Sequence, residues 1–463
     1  MGALEKFRAA DDLQGQIAVL PTLVQAHVGT KNFNEAMWLA EDMLTQFQRA
    51  GDKKGEAVAL AAKASVHIAE KEPLHAKKVA GEAQVLAQEL GDAEAEVAAL
   101  RPLIKASIAL TPHEALQLAT DALPAFEKVE GAAGRAAALL LCAEARLATG
   151  EPAEYAAAVT AAREAVAALQ KAGSKAQQAA ALQMQASASV AAGALEDGRR
   201  AATGAVLLYR EARDKIGQAM ASCLIANIDI TKQDFDQAAR RAQEGADTFR
   251  KAGDISKYGE ALLTVANAYI SRVNYRMNNA SMKSLYEWTE AAMGAATLAD
   301  ATFAQVGEIP GQAAAKHQIA TVHFVKDQHG EAYYNAEQSL KLWTEASDGR
   351  GVATATLLLA QVELKWQKVL EAGEHLQTAE RLFKESGDAE GERSSSELFE
   401  SIRMYYEGSV HQKKRAMQTR DQADEELMSR RGHGWKQGVN LGWGHQYFRF
   451  MNMRGRPAAN MRQ

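Results

Sequence analysis

Gly51-Asp52-Lys53-Lys54-Gly55-Glu56-Ala57 is one copy of a junction, Gly-Asp-x-x-Gly-x-Ala in outline, that returns about every forty residues along the 463-residue chain. Its first two residues, or their stand-ins, recur at Gly91-Asp92, Gly131-Ala132, Gly173-Ser174, Arg213-Asp214, Gly253-Asp254, Gly307-Glu308, Ser347-Asp348 and Gly387-Asp388, with Asp12 one period before the first. Counted from position 12, the steps are 40, 40, 40, 42, 40, 40, 54, 40 and 40 residues. Self-similarity at this period makes nearly the whole chain one supersecondary unit used about ten times, each too small to bury its apolar face without the next. A stacked array offers a long surface rather than a closed catalytic cavity, so the periodicity favours binding.

The unit between Asp52 and Gly91 reads as a helix hairpin. From Gly55 to about Glu70, apolar and small residues recur at helical spacing through Val58, Ala61, Ala62, Ser65 and Ile68, and Lys71-Glu72-Pro73 breaks the pattern. A second helix is expected from about Leu74 to Leu90, ended by Gly91, because the left-handed conformation at a helix C-terminus favours glycine. The inner turn keeps phase too: Pro73, Pro112 and Pro152, then Gly193, Asp234, His329 and Gln367, fall near equivalent places.

Two further columns share the register. Five residues before the junction aspartate stand Phe47, Tyr209, Phe249, Phe303, Trp343 and Phe383, interrupted by Ala87 and Leu169 and displaced by one at Phe126, as expected of knobs that lock second helices against their neighbours. In the first helix, Ile225-Ala226-Asn227-Ile228-Asp229-Ile230 aligns with Val265-Ala266-Asn267-Ala268-Tyr269-Ile270, Ile319-Ala320-Thr321-Val322-His323-Phe324 and Leu359-Ala360-Gln361-Val362-Glu363-Leu364. Eleven residues beyond the polar member comes alanine at Ala36, Ala76, Ala238, Ala332 and Ala372. The small first-helix residue, the later alanine and the Gly-Asp junction resemble the tetratricopeptide-repeat family, in the forty-residue variety of Pins-type and kinesin-light-chain-type adaptors. The resemblance covers about residues 12 to 427. It departs from the common pattern in lacking the first-helix tryptophan, and in placing Asp229, His323 and Glu363 where a tyrosine usually stands.

The resemblance implies an all-α fold, a right-handed superhelical solenoid of about ten hairpins over residues 1–427, with a non-repetitive tail over 428–463. It also implies an inner wall built from first helices, whose polar column contacts an extended peptide. Carried over position by position, that column is Gln25, Ser65, Glu144, Ser187, Asn227, Asn267, Thr321 and Gln361. Asn227 and Asn267 suit the role best, since an amide donates and accepts at once; the competing expectation is a local hydrogen bond within the stack.

Composition points the same way. The chain is 47% hydrophobic with only 8 prolines and 12 phenylalanines, which suits close-packed helices better than sheets. Its two cysteines, Cys142 and Cys223, allow no disulfide framework or thiolate zinc site and read as small core side chains. No stretch approaches the ~18 apolar residues that cross a bilayer, and the N-terminus lacks a basic-then-apolar signal, so a cytoplasmic or organelle-soluble protein is expected. The chain lacks the phosphate-binding Gly-x-x-x-x-Gly-Lys-Ser/Thr, the zinc-binding His-Glu-x-x-His and the acyl-transfer Gly-x-Ser-x-Gly signatures. His317 and His323, six apart on one helix, face directions about 240° apart, and His433 with His445 supply only two ligands, so neither catalysis, a cofactor nor a metal is expected.

Two features stand outside the repeat. The 54-residue unit carries fourteen extra residues, placed near 271–284, where Arg272, Tyr275 and Arg276 are candidate partner contacts. Pro102, Pro112 and Pro124 crowd another unit and predict a helix kink there. Beyond Glu426 no acidic residue remains, and seven basic ones give the tail +7 while 46 basic and 58 acidic residues leave the rest at −12. Arg430, Arg431, Trp435, Lys436, Trp443, Tyr447, Phe448, Arg449 and Phe450 make the tail a candidate docking arm. The reading is a non-enzymatic protein-interaction scaffold or adaptor, a subunit of a larger assembly. An RNA-associated factor using the arginine-aromatic tail, or a regulatory adaptor of an enzyme or motor, is the alternative.

Overall fold

A computed structural model describes residues 2–277, 279–404 and 422; the tail beyond, with its nine candidate residues, lies outside the described residues. Among the described residues there is no strand. The chain divides into two compact units that meet in sequence at the Gly253–Asp254 junction.

The first unit opens with α1 (Gly2–Ala9) and continues as hairpins: α2 (Leu13–Gly29) with α3 (Phe33–Ala50), α4 (Lys53–Ala69) with α5 (Pro73–Leu90), and α6 (Ala93–Leu110) with the first part of α7 (Pro112–Ala148). The remainder of α7 pairs with α8 (Pro152–Ala172), then α9 (Lys175–Ala191) with α10 (Leu195–Glu211) and α11 (Lys215–Thr231) with α12 (Phe235–Ala252). The second unit holds α13 (Ile255–Arg276) with α14 (Met282–Val306), α15 (Ile309–Val325) with α16 (His329–Glu345), α17 (Gly349–Lys365) with α18 (Val369–Glu385), and a helical stretch over 389–404. Hairpin boundaries therefore fall on the junctions that the periodicity marks.

The junction aspartates cap the helices they open, whereas Glu308 and Ala132, which stand in for them, do not. The amide N–H of Gly55 donates to Asp52 Oδ1 at 3.0 Å, that of Gly217 to Asp214 at 2.8 Å and that of Gly351 to Asp348 at 2.9 Å, satisfying one otherwise orphaned helix-end donor apiece. Both turns of a hairpin use left-handed backbone, at junction residues such as Gly253 (φ 74°) and at inner-turn residues such as Lys71 (φ 63°), Gln233 (φ 66°) and Gln367 (φ 61°). A side chain there is strained by Cβ–carbonyl crowding. Gln367→Gly is therefore expected to stabilise the second unit by about 0.5–1 kcal/mol, after the backbone entropy that glycine loses on folding. A lower denaturation midpoint in guanidinium would contradict this.

Within each unit, sequence-adjacent helices pack together, and first helices also pack on the next first helix: α2 on α4, α4 on α6, α7 on α9 and α9 on α11, then α13 on α15 and α15 on α17. Two fully buried alanines per hairpin permit this approach, as with Ala226 and Ala238 or Ala360 and Ala372. The aromatic column is buried as expected, at Phe47, Phe126, Phe249, Phe303 and Phe383, with Tyr209 at 7% exposure and Trp343 half-buried. What these rings pack on is a second column, of glycines. A Cβ on Gly55 would collide with the Phe47 ring, one on Gly217 with Tyr209, one on Gly351 with Trp343 and one on Gly391 with Phe383, each glycine eight residues after its aromatic. Where the column lapses at Ala87, the residue eight later is Ala95, so small meets small.

The extra residues lengthen a hairpin rather than project a loop: α13 has 22 residues where α11 has 17, and α14 has 25 where α12 has 18. Pro102 and Pro124 lie inside helices, and the chain breaks at the expected Gly131 junction (φ 61°, ψ −139°), a conformation that only glycine adopts without strain.

Candidate binding face

The polar column lies on first helices throughout. Gln25, Asn227 and Asn267 are exposed, while Ser65, Glu144, Ser187, Thr321 and Gln361 are half-buried. Several are already engaged locally: Ser65 Oγ donates to the Ala61 carbonyl at 3.0 Å, Thr321 Oγ1 to the His317 carbonyl at 2.9 Å and Ser271 Oγ to Asn267 Oδ1 at 3.4 Å.

Two residues further along α11 and α17, about 200° around the helix, the side chain is buried among neighbouring helices. Asp229 is fully buried there, 2.8 Å from Arg199 Nη1 of α10 and accepting from Arg241 Nε of α12 at 3.1 Å. Burial pushes its carboxyl pKa up, opposed by both guanidinium groups. Glu363 repeats the arrangement with His375 Nδ1 at 2.7 Å, again twelve residues on, and His323 Nδ1 lies 2.7 Å from Gln328 Oε1. The residues that replace the usual tyrosine thus act as internal polar braces. They do not face the column.

Thr321 and Gln361 come together in the second unit, lining a cleft of about 500 Å³. Asn274 and Met277 at the end of α13 close one side, and Asp327 and Lys365 bring one charge of each sign. Phe324, Leu357 and Leu358 supply apolar lining, and the Lys365 ammonium stands 5.7 Å from the Phe324 ring centre. His317 also lines the cleft, and its Nδ1 is buried with no hydrogen-bond partner. Burial holds its pKa down at about 4, so the imidazole is neutral at neutral pH. The arrangement can seat an apolar side chain while offering a hydrogen bond from Gln361.

His317, Thr321 and Phe324 share the spacing of one helix face, as do Leu357, Gln361 and Lys365, a signal that one polar position per first helix leaves out. Asn267 is not among the cleft residues, and Gln25, Ser65, Glu144, Ser187 and Asn227 belong to the first unit.

In the lengthened hairpin, the Arg272 guanidinium sits 4.1 Å from the Trp288 ring centre and Arg276 5.4 Å from that of Tyr275. Arg272 thus stacks across its own hairpin. Around it Tyr275, Met277, Met282 and Tyr286 leave an exposed apolar end. Among the described residues no helix is long and apolar enough to cross a membrane.

No protein-family model matches the chain, and no curated protein matches it. Among solved structures it is similar to a Rap protein complexed with competence and sporulation factor, at 12% identity over 76% of this chain and 98% of that one, with a TM-score of 0.47. It is also similar to aspartyl phosphate phosphatase F from Bacillus subtilis, at 13% identity over 75% of this chain and 94% of that one, with a TM-score of 0.42. A signal transduction ATPase with a tetratricopeptide repeat sensor, from Pyrococcus horikoshii, matches at 15% identity over 72% of this chain and 49% of that one, with a TM-score of 0.49. The TPR-like hairpin fold rests on the repeat and the packing described above.

Proposed function

We propose that this chain is a non-enzymatic scaffold or adaptor that holds an extended segment of a protein partner against its first helices, within a larger assembly. The repeat would be of the forty-residue kind used by Pins-type and kinesin-light-chain-type adaptors, on the strength of its spacing. The observation that carries the reading is the second-unit cleft, where an apolar lining, one charge of each sign and the Thr321 and Gln361 side chains meet on the wall where such repeats take peptides. Asn267, in the same unit, would add an exposed amide to the contact, and Asn227 would offer one of its own on the first unit. The lengthened hairpin and the basic, aromatic tail would add specificity, the tail through its charge opposite to that of the body.

Peptides selected from a random display library on the full chain test this. Thr321→Arg with Gln361→Arg is expected to weaken the selected peptides at least tenfold, whereas Lys341→Ala, on exposed α16 surface, leaves affinity unchanged. Equal affinity for wild type and the doubly substituted chain would overturn the assignment of the cleft.

A further inference from the structure

The turn between α4 and α5 gathers four side chains that the repeat does not require. His67 and Glu70 come from the end of α4, Glu72 from the turn and His75 from the first turn of α5. His67 Nδ1 lies 2.9 Å from Glu72 Oε2 and 3.9 Å from Glu70 Oε2, while His75 Nδ1 lies 3.5 Å from Glu72 Oε2. The two imidazole ring centres are 5.7 Å apart. We propose that these four residues form a binding site for zinc or a zinc-like divalent ion.

Three observations carry the proposal. The first is ligand chemistry: two imidazoles and two carboxylates match the borderline character of zinc, and the carboxylates balance its charge. The second is spacing. Ligand atoms about 2.1 Å from a tetrahedral ion stand about 3.4 Å from one another; the ligand atoms of His67, Glu70 and Glu72 all lie within 4.8 Å of one another, and the exposed His75, 3.5 Å from Glu72, has to turn in to complete the set.

The third is an internal comparison. The hairpin of α15 and α16 has the same register, with His323 in place of His67 and Gln328 in place of Glu72, and keeps the same imidazole-to-turn contact at 2.7 Å. Lys326 and Glu331 stand there where Glu70 and His75 stand in the earlier hairpin. The single contact is thus a feature of the repeat. Convergence of a second carboxylate and a second imidazole is particular to the α4–α5 turn, where His67 is 15% exposed and His75 70%, giving an anchored ligand and an accessible one. A bound ion would tie the last turn of α4 to the first turn of α5.

The full chain carrying His433→Ala and His445→Ala, stripped with chelator and titrated with zinc by calorimetry and with cobalt(II) by visible absorption, tests the site. One ion per chain is expected, with the intense absorption of four-coordinate cobalt. His75→Ala and Glu72→Gln, at partly exposed positions, should each weaken binding at least tenfold, while His323→Ala leaves it unchanged. Absence of binding, or equal effects of His75→Ala and His323→Ala, would overturn the proposal.

Discussion

Phe303→Ala is expected to cost the second unit about 3–5 kcal/mol, among the largest losses that a single truncation can cause. Phe303 is fully buried on α14 and is held between two helices of its unit. A Cβ added to Gly259 of α13 would come within 2.6 Å of its Cζ, and one added to Gly311 of α15 would collide with the same ring. Truncation therefore opens a void against two glycine backbones that have no side chain with which to fill it, and close-packed helices collapse only partly around such a void. The reverse change, Gly311→Val, overpacks the same space and is expected to cost about 1–3 kcal/mol. In the Phe303→Ala background that second cost should shrink, because the valine enters the vacated volume. Guanidinium denaturation of the four chains of this cycle measures the coupling, expected at about 0.5–3 kcal/mol. A loss below about 1 kcal/mol for Phe303→Ala would show that the ring is not the wedge described.

The same ring shows how far the sequence could be read. Its place in a forty-residue column was visible, as were the junction aspartates and the alanines eleven residues past the polar column, because each is a local signal repeated in phase. The glycine eight residues later was equally present in the sequence. Its meaning lay in a contact between one hairpin and the next, which spacing alone does not reveal. The pattern at Asp229 and Glu363 was noticed as a departure from the family, but their partners Arg199, Arg241 and His375 sit on other helices, where only the packing identifies them. The break at Gly131 was legible as a junction of the period, at a residue able to take the required dihedrals. The cleft was half legible: Thr321 and Gln361 follow from phase, whereas the role of His317 depends on how deeply its Nδ1 is buried.

That burial has a consequence for pH. The imidazole of His317 titrates at about 4 in the folded protein, against about 6.5 for an unfolded chain. Between those values the unfolded chain takes up a proton that the folded chain refuses, so stability is fully present above pH 6.5 and is lost as pH falls toward 4. The loss amounts to about 3 kcal/mol at one pH unit per 1.36 kcal/mol. His317→Leu removes the titrating group and places an apolar side chain beside Leu357 and Leu358, so the variant should gain on wild type by about that amount between pH 7 and pH 4. Denaturation of both chains across this range isolates the effect, since contributions from Asp327, Lys365 and the remaining titratable groups are common to the two. Parallel stability curves would remove His317 from the account. A peptide seated in the cleft would desolvate the ring further and favour its neutral form, so its affinity for wild type should hold from neutral pH down to about pH 4, where the free folded protein begins to take up the proton, and fall only below it. The His317→Leu chain should show a flatter response, which separates protonation of this imidazole from any titration of the peptide itself.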